Sequence, residues 1–230
     1  MMKRNNFPFS AVLGLNHAKT AILIVLVNPR AGGLLISGPR GIGKSTLMRS
    51  TQELIERPWR DIPVSVTEDR LFGTIDTEKA IYSGQKKLYP GIINEADQGV
   101  LYLDDANLLR EDLLDSILNI AEVGAYQLER DGLSLRCDTS FTIIAAINPE
   151  SGMLSGACLD QFGLFVNVDN IHDENTRVEI LKRTISFEKD CASFCNLWKL
   201  ENEKIKKAIH SAMSLLPKVV VSSGMIQLAS

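Results

Sequence analysis

The segment that most constrains the fold is residues 38–45, which read Gly-Pro-Arg-Gly-Ile-Gly-Lys-Ser. They match the pattern GxxxxGK followed by Ser or Thr without a mismatch. Glycines let successive backbone N–H groups turn inward around a phosphate, because no Cβ atom stands in the way. A short apolar run at residues 34–37 precedes the motif, and a helical pattern over residues 44–56 follows it. This strand–loop–helix context predicts a phosphate-binding loop.

The loop residues have predicted roles in holding a nucleotide. The helix that begins near Lys44 directs the positive end of its dipole at the same anion. Lys44 is expected to reach the β- and γ-phosphates, and the Ser45 hydroxyl to take a position on Mg²⁺. The predicted nucleotide contacts come from one continuous run: Gly38, Pro39, Arg40, Gly41, Ile42, Gly43, Lys44, Ser45 and Thr46.

Two acidic residues follow a second apolar strand pattern. Residues 101–103 are Leu-Tyr-Leu, and Asp104 and Asp105 come directly after them. One carboxylate at such a position can hold Mg²⁺, and the other can orient an attacking water. The alternative is a solvated strand end or the acidic first turn of the next helix. Next to a phosphate loop the functional interpretation is favoured, so Asp104 is a predicted metal ligand and Asp105 a predicted catalytic residue.

Asn148 is the third candidate catalytic residue, beside Lys44 and Asp105. It follows the apolar residues 141–147 and precedes Pro149. Two roles are open on the residues alone: contact with the γ-phosphate or the lytic water, and formation of a turn before proline. Ligands of parallel αβ sheets bind at the carboxyl ends of the strands, so all these polar groups are expected at one edge.

Strand and helix patterns alternate along the chain. Apolar strands are predicted at residues 34–37, 64–66, 100–103, 141–147 and 164–168, and helices at residues 15–27, 44–56, 107–123, 174–187 and 201–216. This alternation indicates an α/β fold with a parallel sheet flanked by helices on both faces. Residues 125–137 alternate around Asp131-Gly132, which predicts an inserted β-hairpin.

The composition narrows the class of protein. The chain has 230 residues, of which 45% are hydrophobic and 23% charged, so it has room for a large core and is not disordered throughout. Its net charge of −3 provides no overall basic field, and nucleic-acid binding is therefore not expected. The longest apolar run, residues 21–27, is too short to cross a bilayer. The basic start at residues 1–4 has no convincing apolar region after it, so no membrane association and a cytoplasmic location are expected.

The order of these motifs resembles that of AAA+ ATPases, and more closely that of the ATPase subunits of magnesium chelatase. The most family-specific segment is residues 67–76, Thr-Glu-Asp-Arg-Leu-Phe-Gly-Thr-Ile-Asp. Residues 7–14 look like the family's opening segment on the adenine side. Further similar segments are residues 28–33, 90–93, 105–109, 128–132 and 146–152. The resemblance extends over residues 7–185.

The resemblance implies an AAA+ nucleotide-binding domain over residues 1–185 and the start of a helical lid over residues 186–230, a lid that is expected to be truncated. It implies ATP and Mg²⁺ as cofactors and an ATPase activity that drives metal insertion into a tetrapyrrole. It also implies a homo- or hetero-oligomeric ring, a second AAA+ subunit and a large porphyrin-binding subunit. In a photosynthetic eukaryote the location would be the plastid stroma.

Three departures from the family pattern concern hydrolysis. Asp105 stands where the family has a glutamate, which reaches about 1.5 Å further, and a misplacement of about 1 Å can cost about 10²-fold in rate. Gln161 and Ser155 stand where the family has arginines. The lid arginine that also contacts ATP would come after residue 230. These departures predict impaired hydrolysis, unless another arginine supplies the charge from a neighbouring subunit, for which the candidates are Arg130, Arg136 and Arg177.

Three functions therefore stay open: an active motor subunit, a hydrolysis-poor nucleotide-binding scaffold in a mixed ring, and a related AAA+ remodelling ATPase or translocase. The third is the least favoured, because the basic pairs at residues 86–87 and 206–207 are modest and are not interleaved with aromatic residues.

Overall fold

A central sheet and two short β-ribbons form the strand framework. The computed structural model describes residues 6–75, 88–130 and 133–221. Its strands are β1 (Leu34–Ser37), β2 (Trp59–Ile62), β3 (Gly73–Ile75), β4 (Leu88–Pro90), β5 (Val100–Leu103), β6 (Ala125–Arg130), β7 (Leu133–Asp138), β8 (Thr142–Ile147) and β9 (Leu164–Asn167). Five of them pair in parallel in the order β2-β5-β8-β1-β9, and the pairs β3-β4 and β6-β7 are antiparallel ribbons.

Helices cover both faces of the central sheet. They are α1 (Asn16–Val27), α2 (Lys44–Thr51), α3 (Glu68–Phe72), α4 (Ile92–Glu95), α5 (Glu111–Val123), α6 (Gly156–Asp160), α7 (Glu174–Lys189) and α8 (Cys191–Leu215). Short 3₁₀ turns lie at Phe9–Ala11, Pro29–Ala31, Gln52–Leu54, Ala106–Leu108, Pro149–Ser151 and Leu216–Lys218. No helix in these described ranges is long and apolar enough to cross a bilayer.

The core has two apolar layers, one on each side of the sheet. Strands β1, β5 and β8 are buried along their whole length, which is why they read as continuous apolar runs rather than as alternating patterns. One face packs mainly on α5, through Leu35, Leu101, Ile143, Leu113, Leu114 and Ile117. The other packs on α1, α2 and α8, through Leu34, Ile36, Tyr102, Ile144, Ile22, Leu47 and Ile209.

The register of the parallel strands determines which polar residues meet. Ser37 at the end of β1 lies opposite Ile147 of β8, and Leu103 at the end of β5 lies opposite Ala145. Strand β8 therefore separates β1 from β5, and all three end at the same edge. This places the residues that follow them side by side at that edge.

The α/β class, the parallel sheet and the inserted hairpin β6-β7 are confirmed. The prediction of a strand at residues 64–66 was wrong. The edge strand is β2, at Trp59–Ile62, and a turn follows it in which the Val66 N–H donates to the Pro63 carbonyl at 3.0 Å. Two valines suggested a strand, but the proline before them begins a turn.

Several helix boundaries also differ from the predictions. Helix α2 ends at Thr51 rather than at residue 56, and a 3₁₀ turn continues to Leu54. Helix α5 begins at Glu111 rather than at residue 107, because Ala106–Leu108 form a 3₁₀ turn of their own. Helix α8 begins ten residues before the predicted residue 201, where Asp190 accepts a hydrogen bond from the Ser193 N–H at 3.0 Å.

Some predictions cannot be compared with the structure. Helix α7 continues past residue 185, and the division of the chain there stays a prediction. The hairpin turn at residues 131–132, the basic pair at residues 86–87, the end of the family segment at residue 76 and the last nine residues, 222–230, lie outside the described residues.

Candidate active site

The phosphate loop joins β1 to α2 and has the backbone that its glycines allow. Gly41 and Gly43 have φ angles of 80° and 92°, in the left-handed region that side chains disfavour. Gly38 needs to be glycine for a different reason: a Cβ there would lie 2.5 Å from the carbonyl oxygen of Val168.

The nine predicted nucleotide contacts differ in their exposure to solvent. Gly38 and Lys44 are buried. The exposed residues are Arg40, Gly41 and Thr46, and the half-buried ones are Pro39, Ile42, Gly43 and Ser45.

Lys44 lies inside the curve of this loop. Its ammonium group donates to the carbonyl oxygens of Gly38 at 2.6 Å and Pro39 at 2.7 Å. Burial lowers the pKa of Lys44, and the carboxylates of Asp105 and Asp104 oppose that shift. The loop therefore positions a buried cation with two of its three N–H donors on carbonyl oxygens, and such a cation can bind an anion such as a phosphate.

Ser45 and Asp104 form an oxygen-lined corner next to Lys44. The Ser45 hydroxyl donates to Asp104 Oδ1 at 3.1 Å, although the two residues lie 59 positions apart. The buried Tyr102 hydroxyl also lies close to Asp104, but it has no hydrogen-bond partner among the described residues. Burial raises the pKa of Tyr102, with the charge on Asp104 adding to the shift. Hydroxyl and carboxylate oxygens suit Mg²⁺, so the residues fit the ion that the sequence motif implies.

Asp105 adopts an unusual backbone conformation. Its φ and ψ are both 49°, in the left-handed region, and its carbonyl oxygen accepts from the Leu108 N–H at 2.8 Å. Such a conformation costs about 1 kcal/mol or more in a residue with a side chain, and it persists where the surroundings enforce it. The conformation directs the chain from β5 into the 3₁₀ turn at Ala106–Leu108.

Asn148 lies between the phosphate loop and the two acids, because β8 separates β1 from β5. Its side chain is 2% exposed. The amide oxygen accepts from the Glu150 N–H at 3.2 Å, and the amide nitrogen donates to the Ser151 hydroxyl at 3.2 Å. The turn-forming role is therefore present in the structure, and the position between loop and acids is compatible with the catalytic role as well.

Replacing Asn148 with serine separates these two roles. Serine caps a turn about as well as asparagine, so the free energy of unfolding should change by less than about 1 kcal/mol. If Asn148 also contacts the γ-phosphate or the lytic water, the shorter side chain loses that contact, and ATP turnover should fall about 10²-fold. Thermal unfolding and steady-state turnover of the same preparation measure both. Unchanged turnover would leave Asn148 with the structural role alone.

Asn107 is a site residue that the sequence interpretation missed. Its amide nitrogen donates to the carbonyl oxygens of Asn148 at 3.2 Å and Gly152 at 2.9 Å. It thereby joins the turn after Asp105 to the turn after β8. The available signal was a polar residue among the apolar residues that follow the acid pair, but its partners are more than 40 positions away and no local pattern indicates them.

The residues at which arginines were expected lie on α6 and its N-terminus. The Ser155 hydroxyl accepts from the Cys158 N–H at 3.3 Å and caps this helix, while exposed Gln161 donates to the Ala157 carbonyl at 3.4 Å. Of the candidate replacements, Arg136 pairs with Asp138 at 3.0 Å on the hairpin and Arg177 is exposed on α7. The side chain of Arg130 lies outside the described residues.

Comparisons with known proteins decide the family. The AAA domain family, dynein-related subfamily, matches residues 33–161. The magnesium-chelatase 38 kDa subunit of Rhodobacter capsulatus is 35% identical over 93% of this chain and 70% of its own length. The chain belongs to the AAA+ ATPase subunits of magnesium chelatase.

Other relatives agree with this assignment. The magnesium-chelatase subunit ChlI of Synechocystis sp. is 32% identical over 95% of this chain and 72% of its own length. A cryo-EM-based structure of the complex between subunits BchI and BchD of magnesium chelatase superposes with a TM-score of 0.68. The two sequences are 35% identical, and the match covers 94% of this chain and 77% of the matched chain.

Family membership confirms the expected resemblance and the AAA+ fold, and it identifies an ATPase-type enzyme with a nucleotide-binding domain. The matched residues 33–161 include the whole phosphate loop and also Asp104, Asp105 and Asn148. The individual roles of these residues remain predictions.

Proposed function

We propose that this chain is the ATP-driven subunit of a magnesium-chelatase-type complex and couples ATP hydrolysis to metal insertion into a tetrapyrrole. The observation that supports this most strongly is the meeting of Lys44, Ser45 and Asp104 at one sheet edge. The acid pair follows β5 and the phosphate loop follows β1. Strand β8 lies between these two strands in the sheet. This is the arrangement that phosphoryl transfer needs, because its catalysis consists of positioning and charge stabilisation.

Each group then has a defined task. Lys44 exchanges its bonds to the Gly38 and Pro39 carbonyls for bonds to the β- and γ-phosphates. Ser45 and Asp104 would hold Mg²⁺, which would supply positive charge to neutralise the phosphates. Asp105 orients the attacking water and accepts its proton, and Asn148 directs its amide towards the same region.

Assembly with other subunits belongs to the same proposal. A solved relative is a complex of subunits BchI and BchD, and by analogy we place this chain in a ring with a second AAA+ subunit. By the same analogy, a large porphyrin-binding subunit would supply the tetrapyrrole site. A Mg²⁺ held by Ser45 and Asp104 would be distinct from the metal that is inserted, which is a substrate.

A hydrolysis-poor scaffold is the second candidate. The specific observations that favour it are Asp105 in place of a glutamate and Gln161 in place of an arginine, with Gln161 exposed at the end of α6. Under this alternative the chain binds ATP tightly and stabilises a mixed ring, while its partner carries out most of the hydrolysis.

Calorimetric titration and turnover measurements test the proposal. The purified chain should bind ATP in a manner that depends on Mg²⁺, and its turnover should rise when the second AAA+ subunit is added. Tight binding with turnover at background under both conditions would favour the scaffold instead. Absence of ATP binding would contradict both candidates.

A further inference from the structure

The N-terminal segment, residues 7–15, is held by the two long C-terminal helices. The ring of Phe7 packs between Phe187 of α7 and Phe194 of α8, with its centroid 5.2 Å from each. The 3₁₀ turn Phe9–Ala11 follows, and polar side chains of both helices bind its backbone. Phe9 and Val12 of this segment are buried in the apolar layer beside the sheet, and α7 and α8 add polar contacts to its backbone.

Arg183 of α7 makes one of these backbone contacts. Its Nη1 donates to the Ala11 carbonyl at 2.9 Å, and its Nε donates to Glu179 at 2.9 Å. The guanidinium also lies over the ring of Trp198, 4.5 Å from the centroid. Its side chain is only 19% exposed, so the planar group is held by a carbonyl, a carboxylate and an aromatic face at once.

Asn202 of α8 makes the second contact. Its amide oxygen accepts from the Ser10 N–H at 3.0 Å, and its amide nitrogen lies 3.4 Å from Glu53. The residue is 7% exposed in the middle of a helix, where an asparagine is costly unless its amide is bonded. Ser10 is in the first turn of the 3₁₀ helix, where an N–H group has no partner within that helix.

The held segment continues to the phosphate loop. Gly14 and Leu15 have φ angles of 69° and 53°, and a Cβ on Gly14 would lie 2.6 Å from Ile171 Cδ1. The side chain of Leu15 reaches the loop, since its Cδ1 lies 3.9 Å from the position of a Cβ on Gly43. A left-handed leucine persists only where its neighbours enforce the conformation. The apolar side chains of Leu15 and Ile171 suit the face of a flat ring such as a purine.

We propose that Arg183 and Asn202 are positioning residues that hold residues 9–15 as the wall of the base-binding end of the nucleotide site. This inference rests on the proposed nucleotide site and adds to it the elements that control the affinity for the base. The phosphates would be bound by the phosphate loop together with Ser45 and Asp104, which Arg183 and Asn202 do not contact, whereas the base would be bound by residues that α7 and α8 hold in place. Movement of this helix pair would therefore change the affinity for ATP without changing the loop.

The test compares a nucleotide with a ligand that has phosphates only. Variants Arg183→Met and Asn202→Leu are titrated with ATP and with inorganic tripolyphosphate, both with Mg²⁺. The Kd for ATP should rise about 10-fold in each, as the loss of one bond to a buried partner implies, while the Kd for tripolyphosphate stays within about twofold. The matched controls Lys182→Met and Asn196→Leu change exposed residues of the same helices and should leave both constants unchanged.

A purely structural role would move both constants together, and that result would overturn the inference, as would an unchanged Kd for ATP. Arg183→Lys retains one donor for the Ala11 carbonyl and should give an intermediate Kd for ATP, which supplies a folded variant if Arg183→Met is unstable. If the wild-type chain binds neither ligand, the proposed function itself fails. If the wild type binds both and the variants do not separate them, only the present inference fails.

Discussion

Replacing Lys44 with alanine should lower ATP turnover by about 10³-fold, the largest single loss that we expect from any substitution in this chain. Lys44 is 7% exposed and its ammonium lies within hydrogen-bond distance of two carbonyls of the phosphate loop. A preorganised cation in a dry site stabilises the charge of the transferring phosphoryl group far more than the same cation would in water.

The control for Lys44→Ala is Arg49→Ala, which removes a positive charge from an exposed position of the same helix. Its turnover should equal that of the wild type. Both variants should unfold near the wild-type temperature, so the effect can be assigned to the site. Turnover of Lys44→Ala within about threefold of the wild type would contradict the role of this loop in phosphate binding.

The second large effect is a gain. The double variant Asp105→Glu with Gln161→Arg should raise turnover by about 10²-fold or more, if the departures from the family pattern limit hydrolysis. The longer carboxylate restores the reach that water orientation needs. The arginine at the exposed end of α6 would act on the nucleotide of a neighbouring subunit.

Measurements at different protein concentrations distinguish the effects of the two substitutions on turnover. Asp105→Glu acts within one chain and should raise turnover in dilute solution. Gln161→Arg should have an effect only at concentrations at which the ring assembles, which sedimentation velocity can establish. Asp105→Asn serves as the control, because it has the same length without the charge and should lower turnover. A double variant no faster than the wild type would show that these departures do not limit hydrolysis.

The elements that the sequence predicted well are those with local determinants. Strands β1 and β5 have the predicted bounds because a run of three or four apolar residues followed by a polar loop forms a recognisable pattern. Strand β2 was missed because Trp59–Ile62 contains Arg60 and Asp61, which are exposed at the sheet edge. Its strand conformation depends on pairing with β5, in which Trp59 lies opposite Val100 and Ile62 opposite Leu103.

The same distinction between local determinants and long-range contacts applies to the site. Lys44, Ser45 and Asp104 meet as expected because parallel strands bring their carboxyl ends to one edge, and that rule can be applied without coordinates. The bonds from Arg183 to Ala11 and from Asn202 to Ser10 join residues 172 and 192 positions apart. Such contacts depend on where α7 and α8 pack, and no periodicity in either segment indicates it.

Metal insertion by the reconstituted complex is the decisive measurement of the proposed function. The chain is combined with the second AAA+ subunit, the porphyrin-binding subunit, a porphyrin, Mg²⁺ and ATP, and the absorbance of the metallated tetrapyrrole is followed. We expect insertion that requires ATP and that is lost when Lys44→Ala replaces the wild-type chain. Insertion at an equal rate with Lys44→Ala, or no insertion by the wild-type complex although the chain binds ATP, would contradict the proposed function.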